Sequence, residues 1–283
     1  MRFFPIMQSI YILGDIGFFG RPLIKLIDNF RVDVSLNDHR VVLLGDNFYP
    51  EGIKSKQDTQ WENYEIALRD IPYKRVNAIM GNHDYMGNPI LQLHSRRFEN
   101  NQFYFKRSFQ NFDLYFLDTT PLYKGHCYIT DKMITSIHGK SINDLKKEQL
   151  DWFTSELEKS EKWKRRIVFG HYPIISNGYY HNDLNPIYKT LIPIFEKYKI
   201  DAYISGHEHN IQYIKRFISQ DYTFHQFIIG SSSENRKDEY CNQFHSDFYD
   251  NSDNYFLQLY EKDNQLHFNF KNQYNIIKQL FII

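Results

Sequence analysis

The sequence predicts an α/β protein whose two β-sheets share one domain, and three observations carry that expectation. Strand-like apolar runs alternate with helical patterns in the first third of the chain, two aromatic strands lie close together in its middle, and short alternating runs fill its last quarter. Repeated β-α-β predicts a buried parallel sheet, and the aromatic pair predicts that the sheet becomes mixed. The chain has 283 residues, enough for a substantial core. No Gly/Ser-rich or Pro-rich linker and no internal repeat divides it, so residues 1–283 are read as a single domain.

The elements follow in order. SIYIL (9–13) is a strand, and Pro22 opens a helix with Leu23, Leu26, Ile27 and Phe30 on one face. RVVLLGDN (40–47) is a second strand, residues 57–70 form a helix containing Trp61, Tyr64 and Leu68, and RVNAIMGNHD (75–84) is a third strand. FYFKRSF (103–109) and DLYFLDT (113–119) pair as antiparallel neighbours. The stretch 121–143 has no clean period and is read as a surface loop near the site. Ser141 and Asp144 then resemble a capping box before a helix that ends near Ser160. RRIVFGHYP (165–173) is a strand, 186–199 a helix that Pro193 should kink or restart, and DAYISGHEH (201–209) another strand. From 211 onward the runs read as antiparallel β, with Asp263-Asn264 as one of the turns.

Composition removes several functions. Lysine plus arginine equals aspartate plus glutamate at 34 each, so no polyanion partner is advertised and nucleic-acid binding is not expected. Only Cys127 and Cys241 are present, without a CxxC, which leaves one optional disulfide and no cysteine-rich zinc site. The N-terminal stretch is interrupted by Pro5 and a Gln-Ser pair, and no run reaches the roughly 18 apolar residues of a membrane span. The expectation is a soluble cytoplasmic monomer without a signal peptide, acting away from membranes.

Five apolar runs end in glycine followed by a ligand type: YILGD (Asp15), LLGD (Asp46), IMGNH (Asn82, His83), VFGH (His171) and ISGH (His207). Singly, each Gly-Asp is an ordinary turn or cap, and each histidine an ordinary packed or solvated one. Together they place ligands at the carboxyl ends of strands, where open α/β sheets gather distant residues into one crevice. With Tyr49, and with His209 on the same side of the chain as His207, they supply two carboxylates, an amide, three imidazoles and a phenol. That O/N mixture suits transition metals, and seven donors with one shared carboxylate make two sites of four ligands.

The sequence resembles the calcineurin-like metallophosphoesterases, whose blocks stand here in order as GDIG (14–17), GDNFY (45–49), GNHD (81–84), VFGH (168–171) and GHEH (206–209). The tyrosine of the second block resembles the purple acid phosphatases, because the GDxHG and GDxxDRG of serine/threonine protein phosphatases are absent. GDNFYPEG, GNHDYMGNP, EQLDWF, GHYPI and GHEHNIQY resemble the small, mammalian, tartrate-resistant type. The resemblance implies a four-layer α-β-β-α sandwich with two mixed sheets flanked by helices. It implies Fe(III) at Asp15, Asp46, Tyr49 and His209, and Fe(II), Zn or Mn at Asp46, Asn82, His171 and His207. It implies hydrolysis of phosphate monoesters, on a small phosphorylated substrate or a phosphoprotein, by in-line attack of a hydroxide held on the centre. His83 is the candidate acid, with Asp84 orienting its ring. The family's second substrate histidine falls on Tyr180 here, with His181 beside it as the candidate. A phosphodiesterase, nucleotidase or protein phosphatase on the same centre, or a catalytically silent scaffold, are the alternatives.

Overall fold

The computed structural model describes residues 8–35, 38–69, 71–123, 129–180, 185–237, 240–241, 244 and 246–282. Strand β1 (Gln8–Leu13) shows why the early strands read as unbroken apolar runs. Its Tyr11 and Leu13 join one apolar layer with Leu23, Leu26, Ile27 and Phe30 of helix α1 (Arg21–Ser35), and its Ile10 and Ile12 join a second layer between two sheets. Side chains alternate across a strand, so covering both faces demands apolar residues at every position.

The chain continues through β2 (Asp38–Leu43), α2 (Gln60–Leu68), β3 (Val76–Ala78), α3 (Asn82–Met86), α4 (Pro89–Leu93), β4 (Phe105–Phe109) and β5 (Phe112–Phe116). Next come α5 (Asp131–His138), α6 (Ile142–Glu158), β6 (Arg165–Phe169), α7 (Asn185–Tyr198) and β7 (Ala202–Ser205). Six strands follow: β8 (Ile211–Ser219), β9 (Tyr222–Ile229), β10 (Ser246–Asp250), β11 (Phe256–Lys262), β12 (Gln265–Lys271) and β13 (Ile276–Ile282). One sheet has the order β13-β12-β11-β1-β2-β3 and the other β10-β8-β9-β7-β6-β5-β4. Both are mixed: β1, β2 and β3 run parallel, as do β5, β6, β7 and β9, while β4, β8, β10 and β11–β13 pair antiparallel.

A third apolar layer packs Tyr115, Val168 and Tyr203 of the larger sheet against Phe153 and Leu157 of α6 and Leu191 and Phe195 of α7. Helix, sheet, sheet and helix thus stack as the four layers expected. The β11–β12 turn at Asp263 and Asn264 has both residues at positive φ, 52° and 60°, the left-handed pair that suits the twist of a two-residue hairpin. Among the described residues, no helix is long and apolar enough to cross a membrane.

Three expectations need correction. The strand read over 75–84 is only Val76–Ala78, because the Asp84 carboxylate accepts the Gly81 N–H at 2.9 Å and caps α3, whose first residue is Asn82. The stretch read as a loop over 121–143 contains α5, started where Thr130 Oγ1 accepts the Met133 N–H and ended by Gly139 at φ 66°. Of the kink or restart expected at Pro193, the restart does not occur: helix α7 runs through it, with the buried Ile187, Leu191 and Phe195 offsetting the lost backbone bond. The capping expectation at Ser141 holds: its hydroxyl accepts the Asp144 N–H and donates to the Asp144 carboxylate. Cys241 is a half-buried free thiol, and Cys127 lies outside the described residues.

Candidate metal centre

The donor residues leave two different sheets. Asp15 follows β1, Asp46 and Tyr49 follow β2, and Asn82 follows β3; His171 follows β6, and His207 and His209 follow β7 of the other sheet. Backbone pairing continues past the strands, with Asp15 N–H on the Gly45 carbonyl at 3.2 Å and Gly206 N–H on the His171 carbonyl at 3.1 Å. The carboxyl ends of β1–β3 and β6–β7 therefore meet as one crevice across the sandwich.

The turns themselves are tight. Asp15, Asp46, His207 and His209 have φ of 56°, 50°, 72° and 41°, in the left-handed region that most side chains avoid. Asp and His enter it more readily than most, and local strain of this kind collects at functional sites. The glycines beside them are spaces for ligands: a Cβ on Gly81 would stand 2.2 Å from Asp46 Oδ1, and one on Gly206 would stand 2.4 Å from Asp15 Oδ2.

Two donor groups form, and they share Asp46. One comprises Asp15, Asp46 and His209, the other Asp46, His171 and His207, with donor atoms inside each group within 4.8 Å of one another. Tyr49 joins the first, its hydroxyl 3.2 Å from Asp15 Oδ1, 3.0 Å from Asp46 Oδ2 and 2.9 Å from His209 Nε2. Asn82 joins the second, its Oδ1 lying 3.0 Å from His171 Nε2. The Leu44 carbonyl, 2.8 Å from His171 Nδ1, turns Nε2 toward the centre, an arrangement common behind metal-ligating histidines. On the opposite side, His209 Nδ1 faces Glu234 at 3.4 Å.

Electrostatics make this set expensive without a cation. Burial, then the charge of Asp46, push the Asp15 carboxyl well above the usual carboxylate range. The same burial and the same two carboxylates hold the Tyr49 phenol far above its ordinary value. Burial lowers the His171 imidazole, against the pull of Asp46, and so favours the neutral ring that binds metals. Two buried acids, a phenol, an amide and three imidazoles facing one space are a donor set that metal ions fit.

His83 sits at the opening, its Nε2 4.0 Å from Asp46 Oδ2 and its ring 4.4 Å from that of Tyr49. The expected role of Asp84 is not what the geometry shows. Its buried carboxylate accepts the backbone N–H groups of Asn47 and Gly81 and the amide of Gln92, while the His83 ring is held through Nδ1 by the Pro50 carbonyl. Lying under the short helix rather than beside the ring, Asp84 fastens the second block to the third. Burial and then Asp46 raise its carboxyl to about 7. His181 lies outside the described residues.

Several site residues escaped the sequence reading. FIIGSSSEN (227–235) repeats the apolar-run-then-glycine pattern at the end of β9, yet serines follow instead of ligands. Those serines brace the first block: Ser232 Oγ accepts the Gly14 N–H at 3.1 Å, and Ser233 donates to the Asp15 carbonyl. Thr119 Oγ1 accepts the N–H groups of His171 and Tyr172. Glu208, between two histidine donors, is no part of either group; buried and raised to about 7, it accepts the Tyr180 N–H at 3.1 Å.

Behind the centre, the Tyr85 hydroxyl lies 2.5 Å from Asp118 Oδ2 and 2.6 Å from His138 Nε2, which ties α5 to the third block. Burial raises the Asp118 carboxyl to about 7. A carboxyl raised on folding contributes stability that is full below its unfolded pKa, about 4, and is lost as pH rises through the folded value. Asp118→Asn should therefore flatten the fall in melting temperature between about pH 4 and pH 7. Thermal melts of matched, metal-loaded proteins check this, and parallel pH profiles would contradict it.

Residues 9–210 match the family model described as calcineurin-like phosphoesterase. The chain is 33% identical over 186 residues to purple acid phosphatase 3 of Arabidopsis thaliana, covering 62% of this chain and 49% of that protein. It is 30% identical over 199 residues to tartrate-resistant acid phosphatase type 5 of Oryctolagus cuniculus, covering 65% and 59%. It thus spans about half to three-fifths of the length of these curated relatives. Among solved structures, the purple acid phosphatase PPD1 of yellow lupin (Lupinus luteus) superposes with a TM-score of 0.72 at 15% identity, over 98% of this chain and 53% of that one. GAP50, the anchor in the inner membrane complex of Plasmodium, superposes at 0.68 and 21% identity, over 97% and 88%. At those identities the two structures attest the fold. With the five blocks converged at one crevice and the family match spanning residues 9–210, the chain belongs to the calcineurin-like phosphoesterase family.

Proposed function

We propose that the protein is a binuclear-metal phosphoesterase that hydrolyses phosphate monoesters in the manner of a purple acid phosphatase. The observation that carries this reading is the pair of donor groups sharing Asp46 beneath one opening. Asp15, Asp46, Tyr49 and His209 would hold one ion, and Asp46, Asn82, His171 and His207 the other. Bound there, the ions supply Lewis-acid charge that activates water at mild pH and neutralises the phosphoryl oxygens. The reading takes residues 1–283 as one catalytic domain, supported by β11 pairing with β1 to join the two ends of the chain in one sheet.

The chain's own groups do the remaining work. Hydrolysis breaks the bond between phosphorus and the alcohol oxygen, and that oxygen must receive a proton. His83 presents Nε2 to the opening while the Pro50 carbonyl takes Nδ1–H, so the imidazolium can hand its Nε2 proton to the leaving oxygen. Tyr180, whose ring stacks on His207 at 4.3 Å, and His181 beside it in sequence are the proposed phosphate-side groups. The left-handed turns at Asp15 and Asp46 hold the carboxylates in place before substrate arrives, so no reorganisation is needed at the reacting phosphorus.

The Tyr49 phenol supports a ferric ion in the first position. Burial and two carboxylates raise its pKa, so a cation beside it must favour the phenolate, and a hard anionic oxygen suits a trivalent ion. Iron-loaded protein is expected to be purple, and Tyr49→Phe to lose the visible band. A colourless, fully active zinc or manganese enzyme would overturn the ferric assignment and leave the hydrolase intact.

Function itself is tested by loading the purified chain with metal and assaying phenyl phosphate before and after Asn82→Ala or His207→Ala. Collapse of hydrolysis is the expected result. The fold shared with the Plasmodium anchor GAP50 favours one second reading, a scaffold without turnover. That reading predicts no hydrolysis by the parent protein. A diesterase, nucleotidase or protein phosphatase would instead show a preference for diesters, nucleotides or phosphoproteins in a substrate panel.

A further inference from the structure

The segment leading to Tyr180 is fastened in two halves. The first half hangs on β8 and on the segment between β9 and β10: the Asn177 N–H donates to Gln212 Oε1 at 2.9 Å, and the Cys241 N–H donates to the Asn177 carbonyl at 2.9 Å. The Asn177 side chain also donates to the Phe244 carbonyl at 2.7 Å and accepts the Phe244 N–H at 2.8 Å. Ser176 Oγ then turns the chain by accepting the Gly178 N–H at 2.8 Å. Past that turn the backbone meets Glu208, which is fully buried and whose Oε1 accepts the Tyr180 N–H at 3.1 Å.

The fit around this carboxylate is close. A Cβ on Gly178 would stand 2.4 Å from Glu208 Oε2 and 2.8 Å from Asn210 Nδ2, so the segment lies directly on the acid only because a glycine is there. The Tyr180 ring, meanwhile, stacks on His207 with centroids 4.3 Å apart and planes at 27°. Two consecutive residues thus register Tyr180 against the strand end that carries the metal donors, His207 through its ring and Glu208 through its backbone. Glu208 itself belongs to neither donor group.

Resting on the phosphoesterase reading above, we propose that Glu208 is a positioning residue for the phosphate side of the centre, holding Tyr180 over His207 by its length and its hydrogen bond rather than by its charge. A group that binds phosphate gains most when it is already in place, and a buried acceptor of the right reach fixes the backbone that carries it. The rival role is electrostatic, since a carboxylate between two metal donors in sequence could act on the ions directly. Length and charge separate the two: aspartate keeps the charge and loses the reach, whereas glutamine keeps the reach and an acceptor oxygen and loses the charge.

The test uses the full, metal-loaded chain with phenyl phosphate. Glu208→Asp is expected to raise KM about tenfold with kcat little changed, the pattern of lost phosphate binding, and Glu208→Gln to stay much closer to the parent, with metal content equal in all three proteins. In a Tyr180→Ala background the Glu208→Asp change should cost less than about twofold, because the group it positions is gone. A Gln variant as impaired as the Asp variant, a full Asp penalty without Tyr180, or a loss of metal in Glu208→Asp each overturns the positioning role. Should the parent not hydrolyse phenyl phosphate, the phosphoesterase reading fails by itself. Positioning is then read by calorimetry with inorganic phosphate, and it stands only if Glu208→Asp weakens phosphate binding, Glu208→Gln does so far less, and the difference vanishes in Tyr180→Ala; a parent that binds no phosphate overturns it.

Discussion

Asp46→Asn is expected to cost at least about a thousandfold in phosphate-ester hydrolysis and to drop the metal content from two ions per chain to one or none. Asp46 is common to both donor groups, so its loss removes charge from each site at once. Metal-derived stabilisation of phosphoryl charge amounts to several kcal/mol, and about 1.4 kcal/mol is tenfold in rate. Asparagine suits the test because it tolerates the φ of 50° at this position and keeps an oxygen for the His83 N–H, now 2.8 Å from Asp46 Oδ1.

The same substitution should have the opposite effect on the metal-free fold. Burial and the Asp46 charge raise the Asp15 carboxyl, so in the absence of metal this pair opposes folding once pH climbs above the unfolded value of about 4. Neutralising one partner relieves the other. Metal-free Asp46→Asn is therefore expected to melt higher than the metal-free parent at neutral pH, and the metal-loaded variant lower than the metal-loaded parent. Metal analysis, a phosphatase assay and four melting curves check both halves; full metal content with full activity would refute the shared-ligand assignment.

Gly81→Ala should be nearly as damaging, by a different route. The added methyl would meet Asp46 Oδ1 at 2.2 Å, the Asp46 nitrogen at 2.4 Å and His171 Cε1 at 2.7 Å, so the two ligands must move apart. Overpacking of this kind costs about 1–3 kcal/mol of stability, and a displacement of about 1 Å at a catalytic group costs on the order of a hundredfold in rate. Backbone strain is not the cause, since φ at Gly81 is −103°, open to any residue. Gly139→Ala is the control: φ there is 66°, yet nothing lies within 4 Å. It should destabilise by about 1 kcal/mol through backbone strain while metal content and activity hold. Equal activity losses in the two variants would show that steric room at Gly81 is not what matters.

Much of this was legible in the amino-acid order because periodicity is a local property. The apolar face of α1 and the doubly buried strands β1, β2, β6 and β7 follow from which residues recur at which spacing. The five glycine-ended runs were legible for the same reason, each being complete within a few residues. What escaped depended on particular side-chain partners, most of them distant. The 75–84 run looks extended, but a carboxylate three residues past Gly81 takes its N–H and turns the chain into α3. Residues 131–138 look irregular, but Tyr85 and Asp118 come from far along the chain to receive His138 at the end of α5. Asp84 looks like a partner for its neighbour His83, but its hydrogen bonds to Asn47, Gly81 and Gln92 face the other way.

By itself the sequence determined which side chains stand at the ends of which strands, and with them the chemistry on offer: two carboxylates, a phenol, an amide and three imidazoles. Residue type and strand register are written in neighbouring positions, so no folded structure is needed to read them. Only the tertiary structure decided that three strand ends of one sheet meet two of the other, which brings Asp46 within reach of both donor groups as the family resemblance implied, and that the glycines beside the ligands are empty so that carboxylates can fill the space. Those outcomes depend on distances between residues far apart in the chain, as in the bond from His207 N–H to Asp15 Oδ2 across 192 positions. Such distances exist only once the two sheets have packed and the two ends of the chain share one of them.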